Sequence, residues 1–173
     1  MGAGSDVAVP GLSSGEDVTY FVGLPPGYLD ASGAAASVEA AVKAWEASSG
    51  LSFVKTANKA DAKISIVWGE TEPADQLFKF DGPGGCLAKA DAASGRIVLD
   101  AGERWLGPDD AEADGAYDVG AVVMHEMGHI LGCKCHSADP ADVMSPYYLG
   151  RNGSVSAADG ERVGKLYPKT AEA

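Results

Sequence analysis

The sequence predicts an α+β fold, a twisted mixed sheet with helices packed on it. Three observations predict it: segments of period two with one helical segment among them, two capped helical segments in the last third, and no repeat or linker between them. A length of 173 residues suits one domain. With 46% hydrophobic residues the chain can withdraw roughly 70% of its unfolded surface from water, so a core needs no cross-links.

The elements follow in order. Residues 1–16 mix Gly, Ser and Pro without period and read as a flexible N-terminal arm. A strand follows at 17–23, with Val18, Tyr20 and Val22 on one face, and Pro25-Pro26-Gly27 stops it. Val38, Ala41, Val42 and Trp45 form one stripe of a core-facing helix over 32–48 that Gly50 closes. Residues 51–55 and 63–68 are strand-like, the second alternating Ile64, Ile66 and Trp68 against Lys63, Ser65 and Val67. The stretch 81–85 is a tight loop, since two of its glycines flank a proline. Short strands at 87–90 and 96–100 are split by the turn 92–95, and the acidic 109–114 is a loop. Asp118 caps a helix carrying Val119, Val122, Val123, Met127, Ile130 and Leu131, which ends at Gly132. A last helix starts at the cap Ser156 and reaches Leu166-Tyr167 before Pro168. The domain thus spans 17–168, with 169–173 a tail.

Acidic residues outnumber basic ones 25 to 13, a formal charge of −12. Such a balance repels phosphate backbones and anionic lipid, so neither nucleic acid nor a membrane is an expected partner. No apolar run approaches the roughly 18 residues that cross a bilayer, and the N-terminal residues lack the pattern of a signal peptide. Three cysteines, Cys86, Cys133 and Cys135, allow at most one bridge and a spare thiol.

The informative segment is His125-Glu126-Met127-Gly128-His129. Residues four apart share a helix face with Cβ atoms about 5–6 Å apart, so both imidazoles can reach one tetrahedral Zn²⁺. Glu126 is turned about 100° away from His125 by helical geometry. It does not ligate, but it can reach a water held there, the arrangement in which a carboxylate serves as general base. A coincidental pattern would bury two imidazoles and a carboxylate unpaired at high cost. Gly132 allows the sharp turn that returns a third ligand to the metal, leaving the fourth position for water. Met144 lies on a tight turn in Val143-Met144-Ser145-Pro146.

On these motifs the chain resembles the metzincins, and more narrowly the matrixins, the family of matrix metalloproteinase catalytic domains. The resemblance covers about 17–168. It implies a metzincin-like fold with an active-site helix and a C-terminal helix, and a secreted, monomeric zinc endopeptidase acting on protein or peptide substrates, with Glu126 as the catalytic base and Met144 beneath the ligands. It implies that Leu87 and Ala88 on an edge strand pair with substrate backbone and that Pro146, Tyr147 and Tyr148 line the primed-side specificity pocket. It also implies a structural Ca²⁺ held by Asp81, the carbonyls of Gly82, Gly84 and Cys86, and the side chains of Asp100 and Glu103. An oxygen-only set with three carboxylates suits that hard cation on chemical grounds as well.

Three departures from the family pattern matter. The third histidine is due three residues after the glycine, where Cys135 stands, and His136 comes one place late. Counting back from Met144 restores the usual spacing, so one residue is inserted in Cys133-Lys134-Cys135, at small entropic cost. His136 is the favoured third ligand and Cys135 a thiolate rival; a Cys135 filling the open position would give a latent or silent zinc module. Alternatively one of the cysteines bridges to Cys86. Lys89 and Val98 stand where vertebrate relatives place histidines for a second zinc, so none is expected. With no inhibitory segment upstream, the chain reads as a mature-type catalytic domain.

Overall fold

The computed structural model describes residues 5–69, 79–148, 150–151 and 154–169. Among the described residues the main sheet has five strands, β1 (Asp17–Val22), β2 (Ser52–Lys55), β3 (Ile64–Gly69), β4 (Ala88–Asp91) and β5 (Arg96–Asp100), in the order β2-β1-β3-β5-β4. All neighbours run parallel except β4, which is antiparallel to β5 and forms the sheet edge. Among the described residues three α-helices complete the fold: α1 (Ala31–Ser48), α2 (Val119–Ile130) and α3 (Ala157–Leu166). It is a mixed-sheet α+β domain.

The α1 stripe is buried as its spacing dictates, with Val38, Ala41, Val42 and Trp45 all at zero exposure. Helix α1 packs on α2, and the Trp45 indole donates to the Met124 carbonyl at 2.8 Å. In β3 the alternation is blurred, because a central strand is covered on both faces: Ile64 and Ile66 are buried, and so is Ser65. The end of α1 is a correction. Its C-cap is the extended Ser49, and Gly50 serves close approach instead, since a Cβ there would lie 2.3 Å from the Pro168 carbonyl.

Three short elements escape sequence patterning. Strands β6 (Arg104–Leu106) and β7 (Ala116–Asp118) pair in parallel as a separate small sheet, and Lys59–Asp61 forms one 3₁₀ turn. Three residues are too few to display a period, so tertiary pairing decides them.

The N-terminal stretch also differs from the loose arm its composition suggests. Val7 N–H donates to the Gly132 carbonyl, Val9 N–H to the Tyr167 hydroxyl and Gly15 N–H to the Gly50 carbonyl. Asp6 pairs with Arg162 of α3. No helix among the described residues is long and apolar enough to cross a membrane.

Candidate metal centre

Helix α2 is set by its cap. The Asp118 carboxylate accepts the Ala121 N–H at 2.9 Å, an interaction worth about 1 kcal/mol, while its second oxygen accepts Arg151 Nε at 2.7 Å. The helix presents His125 and His129 on one face, with ring centroids 5.0 Å apart.

Each of these rings is held from behind. His125 Nδ1 lies 2.8 Å from the Val143 carbonyl and His129 Nδ1 2.7 Å from the Cys133 carbonyl. A carbonyl oxygen only accepts, so Nδ1 carries the proton in both and Nε2 keeps its lone pair free. Burial, aided by the neighbouring imidazoles, pulls His125 down to about 4, and burial also lowers His129. Both are therefore neutral at pH 7, the form that binds a metal.

Beyond α2 the chain reverses at Gly132, whose φ of +101° is a conformation side-chain-bearing residues rarely adopt. The close approach of the Val7 carbonyl adds a second reason, because a Cβ at Gly132 would lie 2.1 Å from that oxygen. The reversal brings back His136, with its ring centroid 5.1 Å from both others and its Nε2 3.2 Å from His129 Nε2. One nitrogen from each of the three rings lies within 4.8 Å of the others. This is the one such group of potential metal ligands among the described residues, and Cys135 is not in it.

Glu126 is 9% exposed, and burial pushes its carboxyl up to about 7. It lines an open cleft of about 510 Å³ together with His125 and His136. Leu87 and Ala88, at the start of the edge strand β4, and Pro146, Tyr147 and Tyr148 also line that cleft. Tyr148 is fixed by accepting the Asp118 N–H at 2.9 Å and by an edge contact with Tyr117 at 5.2 Å. Tyr147 is three-quarters exposed.

The matrixin family model matches residues 13–168. The chain belongs to the matrixin family. Metalloendoproteinase 1 of Glycine max is 33% identical over 137 residues, covering 76% of this chain and 44% of that protein. Matrix metalloproteinase-20 of Homo sapiens is 34% identical over 120 residues, 67% of this chain and 23% of its own length. Matrix metalloproteinase-26 of Homo sapiens is 30% identical over 174 residues, 95% and 64% respectively. The chain thus spans less than two thirds of each of these relatives.

In this matrixin several supporting residues lie beyond the sequence motifs. Met144 is fully buried beneath α2, where Gly128 makes room for it: a Cβ at Gly128 would lie 2.2 Å from the Met144 sulfur. The buried Asp159 accepts the Met144 N–H at 3.0 Å, and the Met144 carbonyl accepts the Ser137 N–H at 2.7 Å. The only sequence signal for Asp159 is its place three residues after the cap Ser156, which reads as helix capping rather than support of the site. The orienting carbonyls of Val143 and Cys133 leave no sequence signal, because any residue supplies one.

The acidic loop is gathered only in part. Glu103 Oε1 accepts the Gly84 N–H and Asp100 Oδ1 the Gly102 N–H, each at 2.7 Å. Asp100 Oδ2 is buried with no hydrogen-bond partner. Asp81 curls onto its own loop, accepting the Cys86 N–H at 2.8 Å, which holds its carboxyl below the usual range. The three carboxylates do not converge as the histidines do. Neither Cys86 nor Cys133 is in a disulfide, so the bridge to Cys86 does not form.

Proposed function

We propose that this matrixin is a zinc-dependent endopeptidase that cleaves extended segments of protein or peptide substrates. The observation that carries this is the triangle of imidazoles His125, His129 and His136 with the buried Glu126 beside it, opening onto a cleft. The donor set fits zinc, with three nitrogens, two of them oriented by carbonyls as ligating histidines usually are. That the ligand group contains His136 and not Cys135 supports the histidine as third ligand. The printed names of the relatives, a metalloendoproteinase and matrix metalloproteinases, support the reaction class.

When bound, the metal supplies Lewis-acid polarisation of the scissile carbonyl and acidifies the attacking water. Glu126 takes the proton from that water as it attacks and returns it to the leaving amine nitrogen. Substrate lies along β4 at the sheet edge, where Leu87 and Ala88 at its start line the cleft, and adds a strand by main-chain hydrogen bonds. Pro146, Tyr147 and Tyr148 form the wall that receives one substrate side chain. Met144 holds the floor without touching substrate.

A structural Ca²⁺ at Asp81, Gly82, Gly84, Cys86, Asp100 and Glu103 belongs to the same proposal. Its support is the orphaned, buried Asp100 Oδ2, a costly group unless a cation or other partner meets it. Calcium use accords with an extracellular setting.

The test is cleavage of casein. The parent is expected to cleave it, to stop on addition of a zinc chelator and to recover with zinc. Glu126→Ala is expected to lose about 10³–10⁴-fold in kcat/KM while still binding one zinc. Cleavage by Glu126→Ala at the parent rate would overturn the mechanism.

A further inference from the structure

We propose that Arg162 is a positioning residue that fixes the loop delivering His136, and that Asp6 in turn fixes Arg162. This rests on the reading of His136 as the third zinc ligand. His125 and His129 ride on α2, but His136 follows a reversal with no regular structure of its own. A ligand on such a segment is only as well placed as the peptide units before it.

Those units are held one after another, from outside the loop. The Gly132 carbonyl accepts the Val7 N–H at 3.2 Å. The Lys134 N–H donates to Asp6 Oδ1 at 3.0 Å. The Cys135 carbonyl, immediately before His136, accepts an Arg162 terminal nitrogen at 2.7 Å. The same guanidinium grips Asp6 at two points, 2.8 and 3.0 Å, and lies 3.4 Å from Asp159, whose other oxygen holds the Met144 N–H. Arg162 therefore ties the loop above the site to the Met144 turn below it. A planar fork with five donors can serve three acceptors at once, which an ammonium of fixed reach does poorly.

The location matters as much as the contacts. Cys133-Lys134-Cys135 is where this chain carries one residue more than the family spacing, and a longer loop has more conformations to lose. Lys134 and Cys135 are the two residues of that stretch held by Asp6 and Arg162. The N-terminal segment and α3 thus supply externally the order that the lengthened loop does not supply itself.

The experiment is a chelator competition for Zn²⁺, read beside the visible spectrum of the Co²⁺-loaded protein and the thermal midpoint of the metal-free form. Arg162→Met is expected to weaken zinc binding about tenfold, within the 10–100-fold range of outer partners, and to shift the Co²⁺ bands. Asp6→Asn keeps an acceptor for Lys134 and is expected to do the same to a smaller degree, which covers the case of a poorly folded Arg162→Met. Glu161→Gln, on the same helix in an exposed pair with Lys165, is expected to leave affinity and spectrum at parent values. Unchanged affinity and spectrum in both Arg162→Met and Asp6→Asn, with only the midpoint lowered, would reduce Arg162 to a staple between arm and helix and overturn the proposal. His136→Ala separates the two levels: if it leaves zinc affinity intact, the ligand reading fails and this inference with it; if it abolishes affinity while Arg162→Met does not weaken it, this inference alone fails.

Discussion

Two ligands of the candidate centre sit on a helix and the third on a loop, and the two parts are held by different means. His125 and His129 are spaced by α2 itself, so four residues of helical rise set their separation, and a backbone carbonyl behind each ring sets its rotation. His136 has no such frame. Its place depends on a left-handed glycine, a lengthened loop and contacts from residues more than 100 positions away in sequence. Local geometry can be written in a short motif; placement by tertiary contact cannot.

The sharpest way to test this contrast is removal of each ligand in turn. His129→Ala is expected to weaken zinc binding well beyond the roughly 100-fold that an outer partner is worth, and His136→Ala similarly, whereas Cys135→Ala is expected to stay near the parent in chelator competition. A loss in Cys135→Ala equal to that in His136→Ala would make the loop's contribution sulfur.

Next in size is the hinge between the two parts. Gly132→Ala combines a disfavoured φ with a collision against the Val7 carbonyl, and is expected to cost about 2–3 kcal/mol in urea unfolding of the metal-free protein. A cost below 1 kcal/mol would mean that the arm withdraws freely and contributes little.

A pH experiment sharpens the helical part. In the metal-free protein, His125 has a folded pKa near 4 against 6.5 unfolded, so the unfolded chain binds more protons in that window and stability rises with pH across it. Glu126 has the opposite sign: its folded pKa near 7 exceeds 4.5, so the native state holds more protons and stability falls between pH 4.5 and 7. The two oppose each other over pH 4.5–6.5. Glu126→Gln removes the second, so its stability is expected to climb from pH 5 to 6.5 more steeply than the parent's. Equal slopes in the two proteins would show Glu126 to be ordinarily solvated.

The smallest effect concerns the helix start. Asp118→Ala is expected to destabilise by about 1 kcal/mol through the lost cap, and by more if the Arg151 contact contributes. Glu161→Ala, at an exposed pair, is the reference for a change that costs almost nothing.

How much was legible in the sequence follows the same division. The strands β1 to β5, the three helices and the caps Asp118 and Ser156 have periods or capping residues that act within a few positions, and the histidine pair with its acid lies within a single helical turn or so. The β6–β7 pair was not legible, because three-residue strands have no period and exist by pairing. Nor were Gly128 above Met144, Asp159 on the Met144 N–H, or Asp6 on Arg162. In each of these the partners are 15 or more residues apart, and their residue types have ordinary surface or helical roles elsewhere. The composition of residues 1–16 pointed to a loose arm for the same reason: Gly, Ser and Pro declare that a segment lacks regular structure, not that it lacks contacts.

X-ray absorption at the zinc edge of the purified parent protein tests the central claim most directly. One zinc per chain with imidazole nitrogens at about 2.0–2.1 Å and no sulfur in the coordination sphere is the expected spectrum. Sulfur scattering near 2.3 Å, or a protein that takes up no zinc at all, would contradict it.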